Sequence, residues 1–584
     1  MALSGAAGAS QGESTVGLPL RLEELAARGE APAIVSRGGV VSYVELSRRA
    51  EAVGEALRRV GVHAGDRVAL LSAGRGEDEA VALVGALCAG CVVVPLDASA
   101  PAGRLARIVG ARGCRALVHD AGAEGLVGGL LSARGESGGL GRVTLDATGG
   151  VRSVEGGVRS VEGGVRSSKV KERSVDEGEF SERRRTSASG EPAVKRPGHE
   201  AGPLPAVEAL ACILHTSGST GEPKPIPITW AGLDAFTGWA AQLTGLGPGD
   251  RVLRVAELIF DLAWFDHVAT LRVGATLVTV ARRELLAGRA LREAVEALEP
   301  TVIYGVPSLF MKLVAALPEG ASLLPVPRVL LFAGEVFPPR ELKALAERAP
   351  GAALFNLYGP TETNVCTFHE VDRRALDGVQ EAPIGLACPY ADCWLVDEDG
   401  SGRRIEGAGT GELVVAGVTT VGGGPYATRD RVERGADGRL YFRGRIDRMV
   451  KIRGYRVEPG EVEAALAGHP VVKQAAVVAV DDPRLGRVLR AFVAVGEGEG
   501  RRGRVTVGEA LAAEEAVAGQ KAAAATGGVA SQERDAEVAV DGQTLRRYLA
   551  ERLPPYMVPE RVALLPELPR TSTGKIDYRA LMEG

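Results

Sequence analysis

Apolar runs alternate with amphipathic stretches along most of this chain. Val68-Ala69-Leu70-Leu71, Val92-Val93-Val94-Pro95, Val302-Ile303-Tyr304 and Val329-Leu330-Leu331-Phe332 are short and continuously apolar. Strands buried on both faces read this way. Residues 20–28, 43–60 and 77–89 carry helical spacing, and Ala33-Ile34-Val35 with Val40-Val41-Ser42-Tyr43 reads as a hairpin. Strands and helices in alternation predict an α/β fold, with a large, mostly parallel domain. Leu413-Val414-Val415 and Leu440-Tyr441-Phe442 predict a smaller β-rich part, and the chain after Arg445 predicts a compact C-terminal α+β unit.

The rhythm breaks twice. Residues 120–205 contain the unit Gly-Gly-Val-Arg-Ser-Val-Glu twice from Gly149, and then a Ser-rich charged stretch. Two glycines per seven residues argue against a coiled coil. A disordered insertion is expected there, and a low-complexity insertion over 496–532. With 584 residues the chain exceeds one core, and two domains are expected, 18–444 and 445–584.

Composition narrows the class. A net charge of −5 gives no basic footprint for nucleic acid. Residues 1–17 lack the basic-then-apolar pattern of a signal peptide, and no apolar run is long enough for a membrane span. Seven scattered cysteines fit free thiols in a reducing compartment, so the cytoplasm is expected. Cys88 and Cys91 lack a second ligand pair and read as buried thiols rather than a zinc site.

The strongest local signal is Thr216-Ser217-Gly218-Ser219-Thr220-Gly221-Glu222-Pro223-Lys224. Glycines let backbone N–H groups approach an anion, hydroxyls add donors and a lysine adds a point charge, a chemistry suited to phosphate. The spacing is not that of a P-loop. A flexible linker is the bland alternative, and the ordered Thr-Ser-Gly-Ser-Thr-Gly-x-Pro-Lys string argues against it. This string resembles the phosphate loop of adenylate-forming enzymes, the superfamily of acyl-CoA synthetases, luciferases and peptide-synthetase adenylation domains.

Three further segments extend the resemblance, which runs over residues 30–581 apart from the insertions. Asn356-Leu357-Tyr358-Gly359-Pro360-Thr361-Glu362 matches the second nucleotide motif. It implies that Tyr358 packs against adenine, that Asn356 and Gly359 also line the nucleotide site, that Thr361 contacts phosphate, and that Glu362 holds Mg²⁺ on ATP. Tyr426-Ala427-Thr428-Arg429-Asp430 matches the ribose motif and implies Asp430 as its carboxylate. Arg429 stands where the family has glycine, which puts that turn's geometry in question. Gly444-Arg445-Ile446-Asp447 and the residues through 463 resemble the interdomain hinge, implying Arg445 at the nucleotide and Asp447 as pivot. Near the C-terminus, Thr571-Ser572-Thr573-Gly574-Lys575 implies Lys575 as the catalytic lysine, acting with Glu362, Thr216 and Lys224.

The acid is read from Phe260-Asp261-Leu262-Ala263-Trp264. In peptide-synthetase adenylation domains an aspartate here pairs with the substrate ammonium, and a helix cap is the plain alternative. The other pocket positions carried across are Leu262, Phe265, Tyr304, Leu331, Ala333, Leu357, Val365 and Cys366. None is charged, which implies a compact apolar amino acid: proline, alanine or valine. The combination resembles stand-alone prolyl–carrier-protein ligases. D-alanine–carrier-protein ligases are the nearest alternative, then another carboxylate–CoA ligase, and last a non-catalytic nucleotide-binding relative. No Asp-Ser-Leu carrier motif is found, so the acceptor thiol is expected on a separate phosphopantetheinylated carrier protein.

Overall fold

A computed structural model describes residues 20–74, 76–134, 139–156, 210–218, 223–378, 381–482, 486–495, 541–571 and 575–583. The expected α/β class is what it shows. One sheet has the strand order Leu386–Ala387, Thr367–Glu370, Ala353–Tyr358, Val329–Ala333, Val302–Gly305, Arg251–Leu253, Thr276–Val278, Pro32–Ser36 and Gly39–Ser42. Its interior is parallel, and the two ends are closed by antiparallel strands. A second sheet has the order Val151–Glu155, Gly141–Leu145, Ala116–Asp120, Arg67–Leu71, Val92–Pro95, Leu210–Thr216 and Lys224–Thr229.

Local chemistry sets the helices between them. The helix Tyr43–Arg59 starts at Ser42, whose hydroxyl accepts the Glu45 N–H, and it lays Leu46, Ala50, Val53 and Leu57 on one buried stripe. Thr229 caps Trp230–Thr244 in the same way, and Gly245 ends that helix at φ 58°. Tyr43 is fully buried, with its hydroxyl on the Ala275 carbonyl at 2.6 Å, and so ties this helix to the first sheet.

The β-rich part is an antiparallel sheet containing Ala391–Val396, Gly409–Gly417, Tyr426–Arg434 and Leu440–Arg445. The C-terminal unit follows. It holds a hairpin (Val450–Ile452 with Tyr455–Val457), the helices Pro459–Ala467 and Gly542–Ala550, and a sheet of Val472–Asp482, Gly486–Val495 and Arg561–Leu565 around its own core.

One expectation needs correction. The break in rhythm does not begin at residue 120. Ala121–Ala123 and Glu124–Arg134 are helical, and Gly141–Leu145 and Val151–Glu155 extend the second sheet. Val127, Leu130, Val143 and Leu145 are buried, apolar anchors enough to override the glycine-rich composition. The first repeat unit is therefore partly a strand. The rest of the repeat and the segment expected over 496–532 lie outside the described residues. All seven cysteines are free thiols. Among the described residues no helix is long and apolar enough to cross a membrane.

Candidate active site

The strand Leu210–Thr216 runs antiparallel to Lys224–Thr229, with Thr216 opposite Lys224. The Gly/Ser/Thr string is therefore a hairpin connection between two strands, not the strand-to-helix turn of a P-loop. Ser219, Thr220 and Gly221 lie outside the described residues. The Thr216 hydroxyl is buried with no hydrogen-bond partner among the described residues, an acceptor-seeking donor at the loop's base.

Facing it is the turn after Ala353–Tyr358. Gly359 is required there, because a Cβ at this position would lie 1.7 Å from the Asn364 carbonyl oxygen. The turn places Glu362 in full burial, where Lys224 Nζ reaches it at 3.1 Å and Arg456 Nη1 at 2.8 Å. Burial alone would raise this carboxyl, but the two cations outweigh it and hold it below the usual carboxylate range. Thr361 is half-buried beside it. Asn356 donates instead to the Pro383 carbonyl at 2.8 Å, so its amide ties the strand to a segment 27 residues further along.

The ribose-motif strand brings Asp430 to the same cleft. Its carboxylate accepts from the Tyr358 hydroxyl and pairs with Arg445 at 2.6 Å. Arg445 also grips Asp447 through both carboxylate oxygens, at 2.8 and 2.5 Å. The expected pivot is thus tied to the expected ribose carboxylate by one guanidinium. Arg429 takes φ 61°, so this chain keeps the left-handed turn without the glycine. Its N–H donates to Glu412 at 2.9 Å, and its carbonyl accepts the Ile446 N–H at 2.9 Å.

The pocket positions converge. Tyr304 lies opposite Leu331, and Ala333 opposite Leu357, on adjacent parallel strands. With Phe265, Val365, Cys366 and the partly buried Leu262 they form one hydrophobic cluster. It sits at the C-terminal ends of the strands, where open α/β sheets bind ligands. The Tyr304 hydroxyl is buried with no hydrogen-bond partner among the described residues. Asp261 is buried beside this cluster and accepts the Leu262 N–H at 3.1 Å, the kind of contact the helix-cap alternative expects. Burial pushes its carboxyl up to about 6, against the pull of Lys451.

Lys575 is not among the cations gathered here. It is exposed, and it directly precedes Ile576, which pairs with Arg570. A rigid lid can offer the cleft only one face, and here that face is the Val450–Val457 hairpin. Reading the sequence missed the residues this face supplies. Lys451 and Arg456 are a directly opposed cross-strand pair, so both side chains leave the same side of the hairpin. The turn between them, Arg453-Gly454, has φ 52° and 84°, the sign a two-residue hairpin demands. Lys451 acts on Asp430, Asp261 and Glu335, while burial pulls its own ammonium below the ordinary lysine range. The alternation Lys451, Arg453, Gly454, Arg456 around a turn glycine was the available signal.

Comparison with known proteins places the chain in a family. Residues 22–423 match the AMP-binding enzyme family, and residues 461–518 match the AMP-binding enzyme C-terminal domain. The chain is 34% identical to an L-proline–[L-prolyl-carrier protein] ligase of Streptomyces coelicolor, over 93% of this chain and 91% of that one. It is 32% identical to the protein of the same description from Pseudomonas fluorescens, over 96% and 97%. Among solved structures, the Vibrio cholerae adenylation domain AlmE, in complex with glycyl-adenosine-5'-phosphate, has a TM-score of 0.71 at 21% identity and covers 99% of each chain. The amide bond synthetase McbA of Marinactinospora thermotolerans has a TM-score of 0.70 at 22% identity, covering 96% of this chain and 99% of that one. On the sequence match over most of its length, this chain belongs to the AMP-binding enzyme family.

Proposed function

We propose that the protein activates a small apolar amino acid, L-proline in the first place, with ATP, and passes it to the phosphopantetheine thiol of a separate carrier protein. The observation that carries this reading is Asp261, a buried carboxylate beside a pocket whose other expected members are all uncharged, with Lys451 of the hairpin as its neighbouring cation. An acid without an ammonium would leave Asp261 with only the charge of Lys451 to offset its burial, and a charged side chain would meet no opposite charge among the other expected pocket residues. The two prolyl-carrier ligases aligned over nearly the whole chain favour proline.

In the first step a substrate carboxylate oxygen attacks the α-phosphorus of ATP, and the bond to the β-phosphate breaks. Two anions meet, so fixed donors and cations decide the rate. The Thr216 hydroxyl, the Ser217 and Gly218 backbone and Lys224 face the departing pyrophosphate. Tyr358 and Asp430 take adenine and ribose, with Arg445 holding Asp430. Glu362 is ionised, buried and beside the phosphate loop, and so fits a Mg²⁺ site of one carboxylate plus phosphate oxygens. Bound there, Mg²⁺ supplies charge neutralisation on the phosphates. Lys575 enters with the other face of the lid and neutralises the forming acyl phosphate. In the second step the thiol sulfur attacks the acyl carbon, AMP leaves with the bonding pair, and the thiol proton is lost. The face with Lys451 and Arg456 belongs to this step, since Arg456 then occupies Glu362 after the pyrophosphate has gone.

Amino-acid-dependent exchange of pyrophosphate into ATP across the common amino acids tests the first step, and loading of carrier protein against CoA tests the second. Exchange with L-proline above all others and loading of the carrier are expected. Exchange with no amino acid refutes the reading, and preference for D-alanine refutes the proline assignment.

A further inference from the structure

One ion pair between core and lid lies outside every role assigned above. Arg104, on the core helix Ala102–Ala111, meets Glu461, on the lid helix Pro459–Ala467, at 2.5 Å. Their side chains are 7% and 0% exposed, so this is a buried pair rather than a surface one. The second oxygen of Glu461 accepts the Gly218 N–H of the phosphate loop at 3.1 Å. Next to it, the Ser217 hydroxyl donates to the Arg456 carbonyl at 2.9 Å and accepts the Glu458 N–H at 3.1 Å. The lid thus inserts a carboxylate where the loop offers a backbone N–H to an anion, and the core supplies a buried guanidinium on the other side of that carboxylate.

A guanidinium and a backbone N–H converging on one point are an anion site whatever fills it. The Thr216 hydroxyl, buried with no hydrogen-bond partner among the described residues, lies two residues before Gly218 on the same segment. His215 sits near both Arg104 and Arg112 and is held neutral by its burial and by those two cations, so it adds no charge of its own and Arg104 is the cation of the site.

We propose that Arg104 and the Gly218 N–H form a phosphate-binding site that Glu461 fills in this arrangement of lid and core, and that the departing pyrophosphate fills when Glu461 is withdrawn. The proposal rests on the adenylating reading and adds Arg104 to it as a pyrophosphate ligand. Glu461 then acts as an internal competitor. It cannot enter until the pyrophosphate has left, which orders release of the first product before the lid face of Lys451 and Arg456 engages.

Calorimetric binding of pyrophosphate to the full chain tests this without any amino acid, and pyrophosphate exchange with L-proline tests it in turnover. Arg104→Ala is expected to weaken pyrophosphate at least tenfold in both, with the KM for proline within twofold of the parent. Glu461→Gln, which removes the competing charge, is expected to bind pyrophosphate several-fold more tightly. The double variant Arg104→Gln with Glu461→Gln keeps an amide pair in the same space and is expected to stay as weak as Arg104→Ala. Recovery of parental pyrophosphate binding in the double variant would mean that Arg104 only neutralises Glu461, and would overturn the proposal. So would an equal rise in the KM for proline, or a rise confined to the carrier protein, which would assign the phosphate to phosphopantetheine. If the parent exchanges with no amino acid yet binds pyrophosphate through Arg104, the functional reading falls and the site stands.

Discussion

Replacing Asp261 with asparagine removes one charge from the pocket at almost constant volume. The parent carboxylate is buried, so it meets a substrate ammonium at low dielectric, where breaking such a pair by removing one partner costs about 3–5 kcal/mol. At 1.36 kcal/mol per decade, the lower half of that range is a loss of about 10²–10³ in kcat/KM for the amino acid. The loss belongs mainly in KM, because the ammonium is bound equally before and during attack on phosphorus. The pH dependence carries the same logic. A carboxyl raised to about 6 is ionised above that pH, so capture of the ammonium strengthens as pH rises through about 6 and fades below it. For folding alone the sign is opposite: a raised carboxyl pKa favours the folded state at low pH, and that contribution is lost as pH rises through about 6. Pyrophosphate exchange between pH 5 and 8 reads the first effect. The parent is expected to lose kcat/KM for proline below about 6, and Asp261→Asn to be flat. Cyclopentanecarboxylate, which lacks the ammonium, supplies the control: the variant is expected to handle it no worse than the parent. Equal losses for both acids, or an unchanged acid limb in the variant, would refute pairing of Asp261 with the ammonium.

Three further outcomes are expected. Lys575→Ala should lower adenylation by about 10²–10³, as loss of one preorganised cation does, yet leave thermal stability unchanged because the side chain is exposed. Transfer from a supplied prolyl-adenylate to carrier should be little affected, and an equal drop in both half-reactions would refute the division of labour between lid faces. Glu362→Gln should cut exchange by about 10²–10³ and raise the Mg²⁺ concentration needed for half-maximal rate, read by magnesium titration. An unchanged magnesium requirement would remove Glu362 from the metal site. Arg429→Gly should raise the melting temperature modestly. A left-handed L-residue costs about 1–2 kcal/mol, glycine's added chain entropy returns about 0.5–1 of it, and the Arg429 contact with Glu412 at 3.8 Å is too long and exposed to offset the rest.

The fold was legible where the chain is locally consistent. The apolar strands at Val68–Leu71, Val302–Tyr304 and Val329–Phe332 and the capped helix from Tyr43 stand where their pattern put them. The pattern failed over residues 120–155, since a few apolar anchors in a glycine-rich stretch weigh little in a sequence window and much against an existing sheet edge. At the site, Thr216, Glu362, Asp430 and Asp261 were singled out because each lies in a short motif that resembles the family's, and the structure buries Glu362, Asp430 and Asp261. That Arg429 would hold a left-handed turn was readable as a question only. Its answer lies in Glu412, seventeen residues earlier and on the paired strand.

The sequence by itself determined the chemistry proposed for this protein: a loop suited to phosphate, a carboxylate suited to Mg²⁺, and pocket positions that are uncharged apart from one aspartate. Residue type and short spacing carry all of these, because each motif is local. Only the tertiary structure decided which groups face one another. Arg456 on Glu362, Lys451 beside Asp261, and Arg104 with Glu461 over the Gly218 N–H are pairs separated by 94 to 357 residues. Lys575, which the resemblance implies as the catalytic lysine, is exposed here. Which face of a hinged lid meets the core depends on the balance of those distant charge pairs, and no local pattern encodes it.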